Sequence, residues 1–258
     1  MSASAETRGE RLHAALSATF DGLHSAIAGA SFERRQGHAR LVMPSVPLPI
    51  FNGVLVQSAD CRGIGESIDE VEARGLPCGV QLRVKLNAVA EAEAVRHGLT
   101  KPTLLPGMTV APGELTGATA RELEIARVDD QRGLSDAAHV VASAFGAPPE
   151  LMLGLYVPEL LSLDGISIYV GRVADERVTT AIGYRTDDDL GIFSVATSPE
   201  HRRRGYGAAI TSHAVRSGFE EGADLAWLQT SPMGESVYRG LGFLPVVDHV
   251  MLTRPSPE

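Results

Sequence analysis

Residues 190–208 read LGIFSVATSPEHRRRGYGA, and the fold is decided by this stretch. Residues 190–197 are nearly apolar on both alternating faces, as a buried central strand requires. A turn at Ser198-Pro199 follows, and then Arg202-x-x-Gly205-x-Gly207 at the mouth of a helix. Glycines let a backbone approach a ligand closely, and the first turn of a helix presents unpaired N–H groups with partial positive charge. Pyrophosphate suits such a site. Arg202, Arg203 and Arg204 add charge-assisted donors. They stand in an acidic background. Residues 1–120 hold 11 Lys+Arg against 12 Asp+Glu, whereas residues 121–258 hold 12 against 20. The net is therefore −1 in the first half and −8 in the second. Alone, R-x-x-G-x-G is equally a basic helix start with a glycine cap. A dinucleotide fingerprint does not fit, because the spacing is not G-x-G-x-x-G and no acidic residue follows at the usual distance.

Working outward, residues 123–128 read as a strand and 134–145 as a helix stopped by Ala-Pro-Pro. Residues 149–161 form a further helical segment. Strands are expected at 166–173 and 178–184 around a turn at 174–177. After the strand 190–197 come a helix over 205–219, a strand over 225–230, a short helix over 233–239 and a last strand over 246–253. The element order is that of a mixed α/β sheet with a helix between neighbouring central strands. Tyr238 lies 31 residues after Gly207, in Val237-Tyr238-Arg239-Gly240-Leu241-Gly242-Phe243, directly after Gln229-Thr230-Ser231-Pro232. Here the sequence resembles the GNAT superfamily of acyl-CoA-dependent N-acyltransferases. Both central motifs of that family occur in order over residues 121–258: a strand leading to [Q/R]-x-x-G-x-[G/A], then a strand leading to a short helix with Tyr before L-G-F.

The resemblance implies the acyl-CoA N-acyltransferase fold and acetyl-CoA as co-substrate, and it carries roles by position. Val195, Ala196 and Thr197 match the strand whose backbone binds the pantetheine arm and polarises the thioester carbonyl. Arg202, Arg203, Arg204, Gly205, Tyr206, Gly207 and Ala208 match the pyrophosphate loop. Ser231 stands where many relatives carry an asparagine that contacts pantetheine. Tyr238 matches the general acid that protonates the departing thiolate; a core tyrosine bracing Leu241 and Phe243 is the other reading of it. A general base is not legible, since residues 190–197 contain no carboxylate. Glu150, Glu159 and Asp189 are candidates beside a water chain. His201 and His213 flank the loop and are read as facing solvent or the neighbouring helix. No metal-ligand spacing occurs, and Cys61 and Cys78 fit neither a zinc site nor a disulfide framework.

The first half repeats the element order loosely. Leu12, Leu16, Phe20, Leu23 and Ile27 mark an amphipathic helix. Strands follow at 39–43 and 53–56, a short helix at 67–74, a strand at 79–84, a helix at 87–96 ended by Gly98, and a last strand at 104–110. The glycine- and proline-rich residues 102–120 close this half. A shift of 140 residues places Arg62 on Arg202 and Gly65 on Gly205; a shift of 144 places Gly98 on Gly242. Two GNAT-like units in tandem are expected: a degenerate one over 1–117 and a catalytic one over 118–258. The first has no tyrosine, carries Glu66 within its loop echo and has Ser67 in place of the last glycine. It is therefore read as structural support rather than a second CoA site.

The whole chain of 258 residues is 44% apolar and 21% charged, which excludes fibrous, low-complexity and disordered classes. Its N-terminus carries charge where an export signal would be apolar, and no run approaches a membrane span. A cytoplasmic protein, monomeric or homodimeric, is the expectation. The acidic second half makes nucleic acid and anionic membrane poor partners. The function expected is transfer of an acetyl group to a primary amine, on a cationic small molecule or peptide, by direct attack in a ternary complex. The alternative is a non-catalytic acyl-CoA-binding sensor or scaffold.

Overall fold

The computed structural model describes residues 4–84 and 87–255; the first three residues of the N-terminus read above lie outside them. One eleven-stranded sheet runs through the chain in the order β1-β2-β3-β4-β11-β5-β10-β9-β8-β7-β6. The first unit supplies β1 (Ser31–Arg35), β2 (His38–Val42), β3 (Gly53–Val56), β4 (Gly79–Arg83) and β5 (Lys101–Val110). The second supplies β6 (Glu124–Arg127), β7 (Ile166–Val173), β8 (Glu176–Thr186), β9 (Asp189–Thr197), β10 (Leu225–Gln229) and β11 (Leu244–Thr253). Two pairs are parallel, β3 with β4 and β9 with β10; the others are antiparallel. The helices of these parallel crossovers are α2 (Ile64–Glu72) and α6 (Tyr206–Glu220), and each unit then adds a second helix, α3 (Ala88–Arg96) and α7 (Glu235–Gly240). The duplication expected from sequence is visible in this order.

The last strand of each unit crosses to the other. β5 pairs with β10 of the second unit, β11 pairs with β4 of the first, and the two pair with each other at the centre. Helices α2, α3, α6 and α7 cover one face of the sheet; α1 (Ala5–Ala26), α4 (Gln131–Phe145) and α5 (Pro149–Leu153) cover the other. The steps of four, four, three and four from Leu12 to Ile27 put every member of that series in the core. Leu12 and Leu16 cover Trp227 of the second unit, so α1 spans both units.

Three expectations change. β1 was not foreseen, because Phe32-Glu33-Arg34-Arg35 is a charged edge strand without apolar alternation. The segment 149–161 splits into α5 and a 3-10 turn at Pro158–Ser162, divided where Gly154 and Pro158 interrupt the helix. Helix α2 begins at Ile64, three residues before the expected start. No helix among the described residues is long and apolar enough to cross a membrane.

Beneath α1 the rings of His13 and His249 stack with centroids 5.4 Å apart, and Nδ1 of His13 lies 3.2 Å from Nε2 of His249. Both are buried, beside the Arg83–Glu10 ion pair. Burial, the neighbouring His13 and Arg83 push His249 down to about 3, and burial with Arg83 lowers His13. Unfolding returns each imidazole to its ordinary value near 6.5. The unfolded chain therefore binds more protons below that pH, and stability falls as pH drops from about 6.5 toward 3. His249 alone should cost about 2 kcal/mol at pH 5. Urea unfolding at pH 7.5 and 5.0 should show this loss, and His249→Gln should flatten it. A midpoint that does not move with pH would show that the pair is not titrating.

Candidate active site

β9 and β10 pair only from Asp189 to Gly191 and Leu225 to Trp227. Beyond those residues they part, and β10 continues along β5 on its other edge. A β-bulge sharpens the fork. Ala181 of β8 stands opposite both Ser194 and Val195, and Ser194 takes a left-handed φ of 48°. The Ser198 amide donates to the Val178 carbonyl at 2.9 Å, so Ala196 also faces β8 in the alternating ladder. That alternation turns the Val195 and Thr197 amides the other way, into the fork. The expectation of a strand buried on both faces holds only up to Ile192, because from Phe193 the fork opens one edge.

The loop that closes the fork runs through a 3-10 turn at Pro199–His201 into α6. Gly205 is the N-cap residue of α6, with φ 81° and open space where a side chain would begin. The first-turn amides of Tyr206, Gly207 and Ala208 face outward as a ready anion site. The arginines divide their work. Arg202 donates to the carbonyls of Thr197 (3.3 Å) and Ala144 (2.5 Å), tying the loop to β9 and to the end of α4, whereas Arg203 and Arg204 are exposed. Tyr206 is 1% exposed, and its hydroxyl donates to Glu122. That bond is the first cause raising the Tyr206 pKa. Its side chain therefore anchors the loop from below and leaves only its backbone for a ligand. Neither the Ser194 bulge nor the Glu122 anchor is legible in the sequence.

Ser231, exposed after β10, accepts from the Gly234 amide at 3.3 Å and so shapes the turn into α7. Tyr238 on α7 is half-buried, its ring edge-on to Phe243 at 6.0 Å. Burial pushes its phenol up to about 12. Of the acids, Glu150 and Glu159 are exposed on the α4–α5 side. Asp189 lies at the closed end of the fork, eight residues and roughly 25 Å of strand from Thr197. There it accepts from Arg11 at 2.7 Å, which removes it as a base for this site. His201 lies 3.7 Å from Glu176 and is largely covered, and His213 stacks edge-on to Tyr169. Among the described residues no cluster of His, Cys, Asp or Glu could hold a metal ion.

The first unit corrects the echo read from sequence. Gly63 is the N-cap of α2 with φ 75°, the place that Gly205 takes on α6. The register is thus 142, not 140. Gly63-x-Gly65 matches Gly205-x-Gly207, and Asp60 stands at the place of Arg202. Leu99 N donates to Ala94 O at 3.0 Å as Phe243 N does to Tyr238 O, so Ala94 occupies the place of Tyr238. Asn87 donates to the Ser58 carbonyl at 2.7 Å, bridging the loops after β3 and β4. A Cβ at Gly65 would stand 2.5 Å from a Glu93 oxygen, so the α2 N-terminus already faces a carboxylate.

Residues 146–243 match the family model of the Acetyltransferase (GNAT) family. No curated protein matches the chain. Among solved structures, a GCN5-related N-acetyltransferase from Kribbella flavida is 21% identical with a TM-score of 0.70, over 95% of this chain and 96% of its own. A second GCN5-related N-acetyltransferase, from Sphaerobacter thermophilus, is 16% identical with a TM-score of 0.58, over 86% and 78%. A tandem GNAT protein of the clavulanic acid biosynthesis pathway is 10% identical with a TM-score of 0.54, over 80% and 74%. Residues 146–243 of the second unit thus match the GNAT acetyltransferase family, and the chain as a whole shares the fold of GCN5-related N-acetyltransferases and of a tandem GNAT protein.

Proposed function

We propose that the second unit transfers an acetyl group from acetyl-CoA to a primary amine by direct attack in a ternary complex. The observation that carries this reading is the fork: two strand amides, Val195 and Thr197, open onto it, and β9 leads through one short turn to the helix N-terminus capped by Gly205. In this reading the helix amides and the exposed Arg203 and Arg204 hold the pyrophosphate. The strand amides bind the thioester carbonyl and stabilise its oxyanion as the C–N bond forms. Tyr238 donates a hydrogen bond to the sulfur as the C–S bond breaks and the thiolate leaves. With its phenol near 12 it stays protonated at every working pH. Full transfer to a thiolate of pKa ~8.5 is uphill by about 3.5 pKa units, so its hydroxyl acts by hydrogen bonding while the bond breaks. A water chain takes the ammonium proton, as β9 carries no carboxylate beyond Asp189 at its closed end.

Calorimetry with acetyl-CoA tests the reading and should give one site per chain, because the first unit has Asp60, Ala94 and Glu93 where the site needs a base-rich, open loop and a phenol. Two equivalent sites would reject the degenerate role of the first unit. Thiol release with amines tests the chemistry. Tyr238→Phe should lower turnover roughly ten- to a thousandfold while acetyl-CoA affinity changes little. An unchanged turnover number would return Tyr238 to the core.

A further inference from the structure

The fork has a second side, and the first unit builds it. On the α1 face two half-buried rings, Phe51 and Phe193, are the side chains that pack against both flanking clusters: the one holding Ala196 of β9 and the one holding Trp227 of β10. Phe193 meets Trp227 edge-on at 5.1 Å, and Tyr156 is buried beside the Ser194 bulge. Phe51 ends a strap over residues 44–51, PSVPLPIF, which contains three prolines and no charge.

That strap is held rigid and docked on the second unit. The fully buried Asn52 accepts from Met43 N at 2.7 Å and donates to the carbonyls of Val46 (2.8 Å) and Leu48 (3.0 Å). His24 Nε2 lies 3.1 Å from the Phe51 carbonyl oxygen. Ser45 donates to the Gly154 carbonyl at 3.2 Å, and a Cβ on Gly154 would stand 2.1 Å from the Ser45 carbonyl oxygen. A glycine at the end of α5 is what lets the strap come this close.

We propose that the strap over residues 44–51 is the acceptor wall of the second unit's fork, with Phe51 as a specificity-determining residue for an amine carried on an apolar, ring-sized body. The inference rests on the acetyltransferase reading above and deepens it. An amine entering from the α1 face meets Phe51 and Phe193, whose rings offer a second charge at most a cation–π contact and no ion pair or hydrogen bond. A second ammonium group would lose more in hydration there than a ring face returns. The net −8 of the second half still draws a cationic amine toward the protein, but at long range, where salt screens it. The field thus favours one protonated amine and the wall selects its apolar body.

The test uses the full chain with saturating acetyl-CoA and follows thiol release with 2-phenylethylamine and with putrescine. 2-Phenylethylamine should be used with at least tenfold higher kcat/KM. Phe51→Ala should erase most of that preference by raising KM, and Phe51→Leu should keep part of it, as loss of one ring contact in a pocket is worth about tenfold or more. Acetyl-CoA affinity should stay within twofold in both variants. Phe51→Leu decides the point if Phe51→Ala fails to fold. Equal or better use of putrescine overturns the proposal, as does a preference untouched at Phe51, or inertness of both amines with a protein that binds acetyl-CoA. Failure of the wild-type chain to bind acetyl-CoA would instead overturn the acetyltransferase reading.

Discussion

Gly205→Asp should abolish CoA binding while leaving the fold intact. Gly205 has φ 81°, and nothing lies within 4 Å of where its Cβ would be, so the new side chain meets no clash. The left-handed backbone costs an aspartate about 1 kcal/mol, and its carboxylate at the N-cap of a fifteen-residue helix returns a few tenths over glycine. Stability should therefore fall only slightly. The same carboxylate would stand about 5 Å from a bound pyrophosphate. With a surface dielectric near 20, one pair of like charges at that distance opposes binding by about 3 kcal/mol, a factor above one hundred. Calorimetry with CoA and with pantetheine separates the causes. CoA should lose at least a hundredfold and pantetheine, which has no pyrophosphate, only a little. Equal loss for both ligands, or a CoA affinity within threefold of wild type, would remove the glycine loop from the site.

The loop was legible because its chemistry is local. A strand, a turn, glycines and arginines within nineteen residues dictate their own arrangement, and Tyr238 follows in a second local pattern. The echo in the first unit was legible but misaligned by two residues. Matching Arg62 to Arg202 followed side-chain identity, whereas the chain is duplicated in backbone: the left-handed cap at Gly63 matches the one at Gly205. Asp189 was a candidate base because a strand's two ends look alike in sequence. Only the pairing of β9 with β10 shows which end is open. Least legible was the crossing of β5 and β11. Either strand could pair with its own unit's parallel pair, and nothing in Leu105 to Val110 or Val247 to Leu252 says which neighbour it takes. That choice is made by the ladder and by α1, which lies over both units.

This exchange makes the units inseparable. A fragment spanning 118–258 loses β5, so β10 is left without its partner at Gly107–Val110, and β11 without either β4 or β5. Trp227, fully buried in the intact chain, loses the cover of Leu12 and Leu16. Two unpaired strands and an exposed apolar face lead to aggregation. The fragment 1–117 has the reciprocal defect, since β4 loses β11 and β5 projects with no neighbour. Each piece expressed alone should be insoluble or oligomeric. Co-expressed, the two should assemble into a soluble one-to-one complex that binds acetyl-CoA, because β5 and β11 then meet along Lys101–Thr109 and Leu244–Thr253 as in the intact chain. Size-exclusion chromatography with acetyl-CoA calorimetry reads both results. A soluble, monomeric 118–258 fragment with full acetyl-CoA affinity would show that the crossed strands are dispensable and that the second unit folds alone.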